Sequence, residues 1–509
     1  MLENLKRKIR YSELAGISLL SKIAPSKRLK EAGQKQLAKK MKELRGVPMK
    51  LSQILSMSND DTRAEAFDCT QSHITPMPPE EIYCYLNEHA NGLSEKIVEI
   101  SDKGLSASLG QVHQILLNDN QRYALKIRYF DSLKNMELDS DLFSMLTRTM
   151  STFKEGFNLT DYQKTISDEL LKELDYEHEL ETQQKFFEHF ESEKNIIIPK
   201  VSQSDSGSAH IVMNWEEGQN IEAFCIDATE DQKMKAGNLL CTFLLQSFLK
   251  HGLVHSDPNP GNFAFRIKNN EVQLVVYDYG SCLEISEDIR LAFMSLFKEV
   301  KSQKGVVIPW LVAMGFNEAL LLPIKDNLLA FLDMLFEPFL SDGRYDTKDW
   351  SRKERAANIL GEQRWNFMTA APANLMGLMR SIHGLFYYVE KLDCGIYAKP
   401  QLTKIFEEFE TALSNIIPPI LNSGPTYSKL STQLEVRIFE NEKQKIALSL
   451  PRTSIEDLEN LMDKDVMENI QKQGVFLDVI LEKARKNGYR AMDLFNINVN
   501  KKRYHVYLA

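Results

Sequence analysis

Asp257 and Asn262 stand five positions apart in HGLVHSDPNPGNFAF (251–265), and an apolar run then delivers Asp278 within LVVYDYGS (274–281). A carboxylate, a side-chain amide and a second carboxylate in this order suit phosphoryl transfer. That reaction asks little covalent help of a protein. It needs an acceptor held in line and divalent cations bridging phosphate oxygens. A hard cation takes oxygen ligands, so Asn262 and Asp278 are the expected metal-holding pair, with Mg²⁺ the expected ion. Asp257 is left to orient or deprotonate the attacking hydroxyl. Pro258, Pro260 and Gly261 stiffen the loop and let backbone approach phosphates. A lone Asp-x-x-x-x-Asn arises by chance in many chains. A strand, this loop, and a second strand ending in Asp-Tyr-Gly are much harder to obtain by accident.

A second part lies upstream, in Tyr123-Ala124-Leu125-Lys126-Ile127-Arg128. A lysine in the middle of an apolar strand needs a partner, because burying an unpaired ammonium is costly. The plainer reading is an edge-strand lysine facing water. Beside the loop above, Lys126 reads instead as the residue that holds nucleotide phosphates and pairs with a helix glutamate. Glu169, Glu173, Asp175, Glu177 and Glu179 all fall in one helical pattern (161–190), where a charge run is as readily a solvated face. Asp175 and Glu179 share one side by i,i+4 spacing, but the residues alone do not choose the partner. LSASLGQVHQ (105–114) occupies the place of a glycine-rich phosphate loop. Only Gly110 of such a pattern is present, so an ordinary protein kinase is not expected.

The elements that must position these residues can be traced along the chain. Residues 1–75 have helical periodicity and carry 14 Lys/Arg against 4 Asp/Glu in their first fifty. That basic stretch is a solvated face on packed helices or, more sharply, a contact with anionic lipid headgroups. ITPMPPEE (74–81) marks a boundary. Gln111–Leu117 and Arg122–Tyr129 read as strands joined at Asn118-Asp119-Asn120. IIIPKV and HIVMNW add short strands, and from Glu216 the pattern is mainly helical. EVRIFENEKQKIALSL and DLFNINVNKKRYHVYLA read as two hairpins with short helices between them. The expected fold class is α+β: a helical extension (1–75), a bilobal kinase-like body with a small lobe (76–215) and a large lobe (216–424), and a small α/β add-on (425–509).

Bulk composition excludes several classes. A net charge of −9 argues against nucleic acid as a main partner. Six cysteines lie far apart without metal-ligand spacing and read as reduced thiols. The start MLENLKRKIRYSELAG lacks the apolar core of a signal peptide, and Asn238–Leu249 and Gly305–Ile324 are too interrupted to span a bilayer. The expected location is cytoplasmic, with at most peripheral membrane contact.

Taken together these motifs resemble the UbiB (AarF-domain) protein-kinase-like family, over roughly residues 35–410. The family's Lys-x-Gly-Gln motif corresponds to Lys50-Leu51-Ser52-Gln53, with Ser52 in place of glycine. Its alanine-rich loop corresponds to Ser106–Gln111, including Ala107, Ser108, Gly110 and Gln111. Its Glu-x-Asp motif falls on Glu173 and Asp175, and its lysine-paired glutamate on Glu179. HSDPNPGN stands for His-Ala-Asp-Pro-His-Pro-Gly-Asn, and Asp-Tyr-Gly for Asp-Phe-Gly. The resemblance implies ATP (or ADP) and Mg²⁺ as cofactors. It also implies an N-terminal extension folded over the cleft against protein substrates, and an atypical kinase or ATPase supporting quinone-lipid synthesis. Lipid or quinone intermediates and quinone-biosynthesis enzymes are the implied partners. Many members end in membrane-spanning helices, where this chain carries its hydrophilic tail. Two rival functions stand beside this one: a nucleotide-gated scaffold without turnover, and a small-molecule kinase of the aminoglycoside or choline type. The latter gives no reason for the motif at 50–53 or for Glu173, Asp175 and Glu179.

Overall fold

The computed structural model describes residues 36, 40, 77–90, 92–106, 110–128, 172, 175–303, 306–419, 421 and, between 431 and 509, the elements named below with positions adjoining them. The chain divides into two units. The first takes in the described residues up to Ser286 together with Ser341–Asp349 and Ala373–Glu407.

The first unit opens with helix α1 (Pro79–His89), then strands β1 (Ile97–Ile100), β2 (Leu105–Ser106), β3 (Gly110–Leu117) and β4 (Arg122–Arg128). The turn between β3 and β4 is set locally. Asn120 takes a left-handed φ of 59°, which asparagine tolerates better than most residues. Asp119 accepts from the Gln121 amide at 2.8 Å and the Tyr123 hydroxyl at 2.9 Å. With the turn fixed, Leu116 pairs with Arg122 and Val112 with Lys126. β6 (His210–Asn214) closes the other side, giving the order β1-β3-β4-β6 with β2 added on β3. Side chains alternate across this sheet. Leu125, Ile127, Ile115 and Leu117 bury themselves against Ile82 and Leu86 of α1. Ala124, Ile211 and Met213 pack on Tyr176. Lys126 stands on that second face.

Helix α2 (Tyr176–Phe190) begins where Asp175 caps it, accepting from the His178 amide at 3.1 Å. The helical pattern expected over 161–190 is therefore interrupted at Asp175, which lies outside the helix; 161–171 fall outside the described residues. Beyond β5 (Ile196–Ile197) and β6 come α3 (Ile221–Asp227) and α4 (Glu230–Leu245). Thr229 and Gln232 form a reciprocal cap at the start of α4. A π-helical turn (Gln246–His251) ends at Gly252, whose φ of 68° turns the chain into β7 (Leu253–His255). β8 (Phe263–Lys268) and β9 (Glu271–Val276) form a hairpin with β5 parallel to β9, and β10 (Cys282–Glu284) pairs back on β7. Helices α5 (Met376–Leu392) and α6 (Lys399–Glu408) complete the unit.

The second unit comprises Glu287–Leu340, Trp350–Pro372 and Glu408–Ala509. Its helices include Glu287–Ser302, Lys325–Leu340 and Arg352–Leu360. Its strands β11 (Gln433–Glu440), β12 (Lys443–Pro451), β13 (Met492–Val499) and β14 (Lys502–Leu508) form an antiparallel sheet ordered β12-β11-β14-β13, with helix α7 (Leu477–Lys486) between the hairpins. Leu434, Val506 and Leu508 share a core with Ile455, Leu458 and Ala484.

In the first unit the centre of packing is aromatic. Phe186 of α2 is fully buried and lies 5.0 Å from the Tyr279 ring, 5.8 Å from Phe243 and 6.3 Å from Phe190. Phe186→Ala should cost about 3–5 kcal/mol, because so many fixed rings cannot close the cavity. Urea denaturation followed by far-ultraviolet circular dichroism measures it; a loss under about 1 kcal/mol would contradict this view of the core.

Candidate active site

Three segments distant in sequence converge on one ammonium. β4 carries Lys126 on the sheet face opposite α1, and its Nζ donates to Glu179 Oε1 at 2.6 Å and to Asp278 Oδ1 at 2.9 Å. The lysine side chain is 8% exposed, Glu179 0% and Asp278 26%. Burial would by itself discharge Lys126, but Asp278 and Glu179 outweigh it and hold its pKa well above the ordinary lysine value. Glu179 also accepts from the Tyr279 amide at 3.2 Å, while its Oε2 is buried without a hydrogen-bond partner. Burial, opposed by Lys126 and reinforced by Asp278, pushes the Glu179 carboxyl up to about 7. The two directions are compatible: one permanently charged ammonium is shared by two carboxylates, so the more buried carboxylate is the one that resists ionisation.

Tyr176, the first residue of α2, packs on the same face. Its ring lies 5.5 Å from Lys126 Nζ and 5.0 Å from the Arg128 guanidinium, a placement favourable to cations. Its hydroxyl abuts Gly110. A Cβ at Gly110 would stand 2.7 Å from that hydroxyl and would collide with the Ile127 carbonyl. Glycine is thus required at 110 by close packing, whatever the loop before it does.

The loop from β7 to β8 presents the other groups. Asn262 Nδ2 donates to the Asp257 carbonyl and to Asp257 Oδ2, each at 3.2 Å. Asn259 Oδ1 caps the Gly261 amide at 3.0 Å, and Tyr277 N donates to the Asn262 carbonyl at 2.8 Å. Asp278 sits at φ 58°, a left-handed conformation that a β-carbon makes costly. His255 helps hold it there: Nε2 lies 2.7 Å from the Asp278 carbonyl and 3.0 Å from that of Tyr277, so the ring donates to both. Tyr279 replaces the usual phenylalanine without leaving a buried polar group unpaired, because its hydroxyl donates to the Val276 carbonyl at 2.8 Å. Burial, with the charges of Asp278 and Glu179, raises the nearby Cys282 thiol well above its ordinary pKa. A thiolate nucleophile is therefore not available there.

The structure brings Lys126, Glu179 and Asp278 into one cluster and places Asp257 with Asn262. Gly110 lies beside Tyr176. Gln111 is turned the other way: it pairs with Ile127 in register, on the α1 face, and its Oε1 accepts from the Met77 amide at 2.9 Å. Its task here is to tie down the incoming chain. Asp175 is a helix cap, so the same-side argument linking it to Glu179 does not hold. Glu179 is fully buried on Lys126 and offers no surface charge. Lys50, Gln53, Ala107, Ser108 and Glu173 lie outside the described residues. Among the described residues no three His, Cys, Asp or Glu side chains form a metal-holding group. An amide oxygen and one carboxylate, Asn262 and Asp278, fit Mg²⁺, which takes few protein ligands when phosphates and water complete its shell. The sequence reading does not single out Tyr176 or His255. His255 had a signal, two positions before Asp257; a lone tyrosine after Asp175 has none.

Residues 69–305 match the ABC1 atypical kinase-like domain. That segment, which holds Lys126, Glu179, Asp257, Asn262 and Asp278, is therefore similar to an ABC1 atypical kinase-like domain. Atypical kinase coq-8, mitochondrial, of Caenorhabditis elegans is 23% identical over 394 residues, covering 75% of this chain and 52% of that protein. Atypical kinase COQ8, mitochondrial, of Saccharomyces cerevisiae is 23% identical over 389 residues, covering 74% and 77%. This chain thus spans about half the length of the first relative and more of the second. The erythromycin complex of Rv3197 from Mycobacterium tuberculosis superposes with a TM-score of 0.50 at 20% identity, over 75% of this chain and 96% of that one. With the ABC1 atypical kinase-like match, the fold is bilobal, α+β and protein-kinase-like.

Two outcomes follow. Lys126→Ala leaves two carboxylates facing each other and should cost about 3–5 kcal/mol in urea denaturation. Glu179 binds its proton more tightly folded than unfolded. Its contribution is therefore full below the ordinary value of 4.5 and lost as pH rises through about 7. Wild-type stability should consequently fall relative to Glu179→Gln between about pH 5 and pH 8, and parallel curves would refute the shift.

Proposed function

We propose that this chain binds Mg-ATP in the cleft marked by Lys126, Asn262 and Asp278, and transfers or hydrolyses its terminal phosphate with Asp257 orienting the attacking oxygen. The observation that carries this reading is the single buried ammonium shared by Glu179 and Asp278, with Asp257 and Asn262 joined on the following loop. Lys126 would bind phosphate oxygens while Glu179 keeps it oriented. Asn262 and Asp278 would hold Mg²⁺, which when bound supplies positive charge between phosphates. Asp257 would accept the proton of the attacking group through its half-buried carboxylate. Gly110 keeps β3 close to Tyr176 and so shapes the roof of the cleft. Ala107 and Ser108, which precede it, would touch the nucleotide.

The substrate class proposed for the atypical kinase is a quinone-type lipid intermediate or an enzyme of that pathway. The UbiB motifs carried by Lys126, Glu179, HSDPNPGN and Asp-Tyr-Gly support it. The segment 1–75, with Lys50 and Gln53, would cover the cleft against general protein substrates. The chain would work in the cytoplasm, in contact with a membrane surface. Among the described residues no helix is long and apolar enough to cross a membrane.

Purified protein decides between turnover and binding alone. Asp257→Asn should lower ATP hydrolysis about 10²-fold or more with nucleotide affinity little changed. Asp278→Asn should abolish the Mg²⁺-dependent part of ATP binding measured by calorimetry. Equal wild-type affinity with and without Mg²⁺ would overturn the metal assignment. Tight binding with no hydrolysis would favour the scaffold instead.

A further inference from the structure

The loop that carries Asp257 lies along one side of α5, a helix beyond the segment that matches the ABC1 domain. Ser381 Oγ donates to the His255 carbonyl at 2.7 Å. The Tyr388 hydroxyl lies 3.2 Å from the Asn259 carbonyl and 3.4 Å from that of Pro258. A Cβ at Gly377 would stand 3.0 Å from Ser256 Cβ, and one at Gly384 would collide with Pro258. Positions 377, 381, 384 and 388 recur at intervals of four, three and four, which places them on one face of a helix. The helix thus grips the backbone on both sides of Asp257, and small residues set how closely the loop descends. Ser381 is 7% exposed and Tyr388 1%, so these hydrogen bonds are shielded from water.

We propose that Ser381, Gly384 and Tyr388 are positioning residues that set Asp257 for reaction, with α5 as the seat of the catalytic loop. This rests on the nucleotide reading above. Of the groups assigned to phosphate and metal binding, Lys126 and Asp278 come from β4 and the segment after β9, and Asn262 alone shares the loop with Asp257. Affinity and rate should therefore part company when the seat is disturbed. A displacement of about 1 Å in a catalytic group can cost on the order of 10²-fold in rate, so loss of one anchoring hydrogen bond is enough to register.

Tyr388→Phe keeps the ring and removes the hydroxyl; Ser381→Ala removes the other donor. Tyr387→Phe, on an exposed neighbour in the same helix, is the control. Tyr388→Phe and Ser381→Ala should each lower kcat for ATP hydrolysis roughly tenfold, the worth of about one hydrogen bond, with the Mg-ATP Kd within about twofold. Ser381→Thr, which retains a hydroxyl, should recover rate, and Tyr387→Phe should behave as wild type. Amide exchange over residues 253–262, read by mass spectrometry, should rise in both loss variants. Unchanged kcat with unchanged exchange would overturn the proposal. So would an equal loss of rate and affinity, which would make α5 a general support. A wild type that neither binds nor hydrolyses ATP would instead refute the nucleotide reading, and amide exchange in Tyr388→Phe would still decide whether α5 seats the loop. If Ser381→Ala fails to fold, the isosteric Tyr388→Phe carries the decision.

Discussion

A buried ammonium needs a counter-charge, and in this protein that constraint organises the site. Lys126 comes from a strand, Glu179 from a helix and Asp278 from the turn after a second sheet, yet all three meet within hydrogen-bonding distance. None of them could be buried alone at tolerable cost. The two carboxylates compete for one cation, which leaves Glu179 reluctant to ionise and Lys126 firmly charged. Such a cluster is poised toward added positive charge. Asp278 is the more exposed carboxylate and lies outside any helix, which suits it to the metal-holding role proposed above.

The polar cluster is held by an apolar frame. Rings pass from Phe186 of α2 to Tyr279 at 5.0 Å, to His255 at 5.7 Å, to Phe263 at 5.2 Å and to Tyr388 of α5 at 5.4 Å. This column joins the helix that carries Glu179 to the one beneath the loop that carries Asp257. His255 contributes twice, as a ring in the column and as a donor to the Asp278 carbonyl. Because interiors are close-packed, a shift at one end of such a column is felt at the other. The replacement of phenylalanine by Tyr279 is tolerated for a local reason, since Val276 supplies the acceptor its hydroxyl needs.

Much of this was legible in the residues themselves. The spacing of Asp257, Asn262 and Asp278 and the lysine at 126 point to the chemistry proposed for the site, because phosphate and metal chemistry demand particular atoms at particular separations. The β3–β4 hairpin was equally legible, since Asn118-Asp119-Asn120 encodes its own turn. The two C-terminal hairpins follow from alternation alone. These are local signals, and a sequence states them directly.

What only the tertiary structure decided is of another kind. The pattern over 161–190 runs unbroken in the sequence, but Asp175 caps a helix there and Glu179 falls in the core against Lys126. Periodicity shows which residues share a face; it does not show which face meets a buried cation. Gln111 and Gly110 are neighbours in one motif, yet the pleat sends their surroundings to opposite sides of the sheet. Ser381, Gly384 and Tyr388 lie more than a hundred residues after Asp257 and carry no motif. Their role comes from the close approach of a helix to a loop, and distance in space is the one quantity that spacing along a chain does not encode.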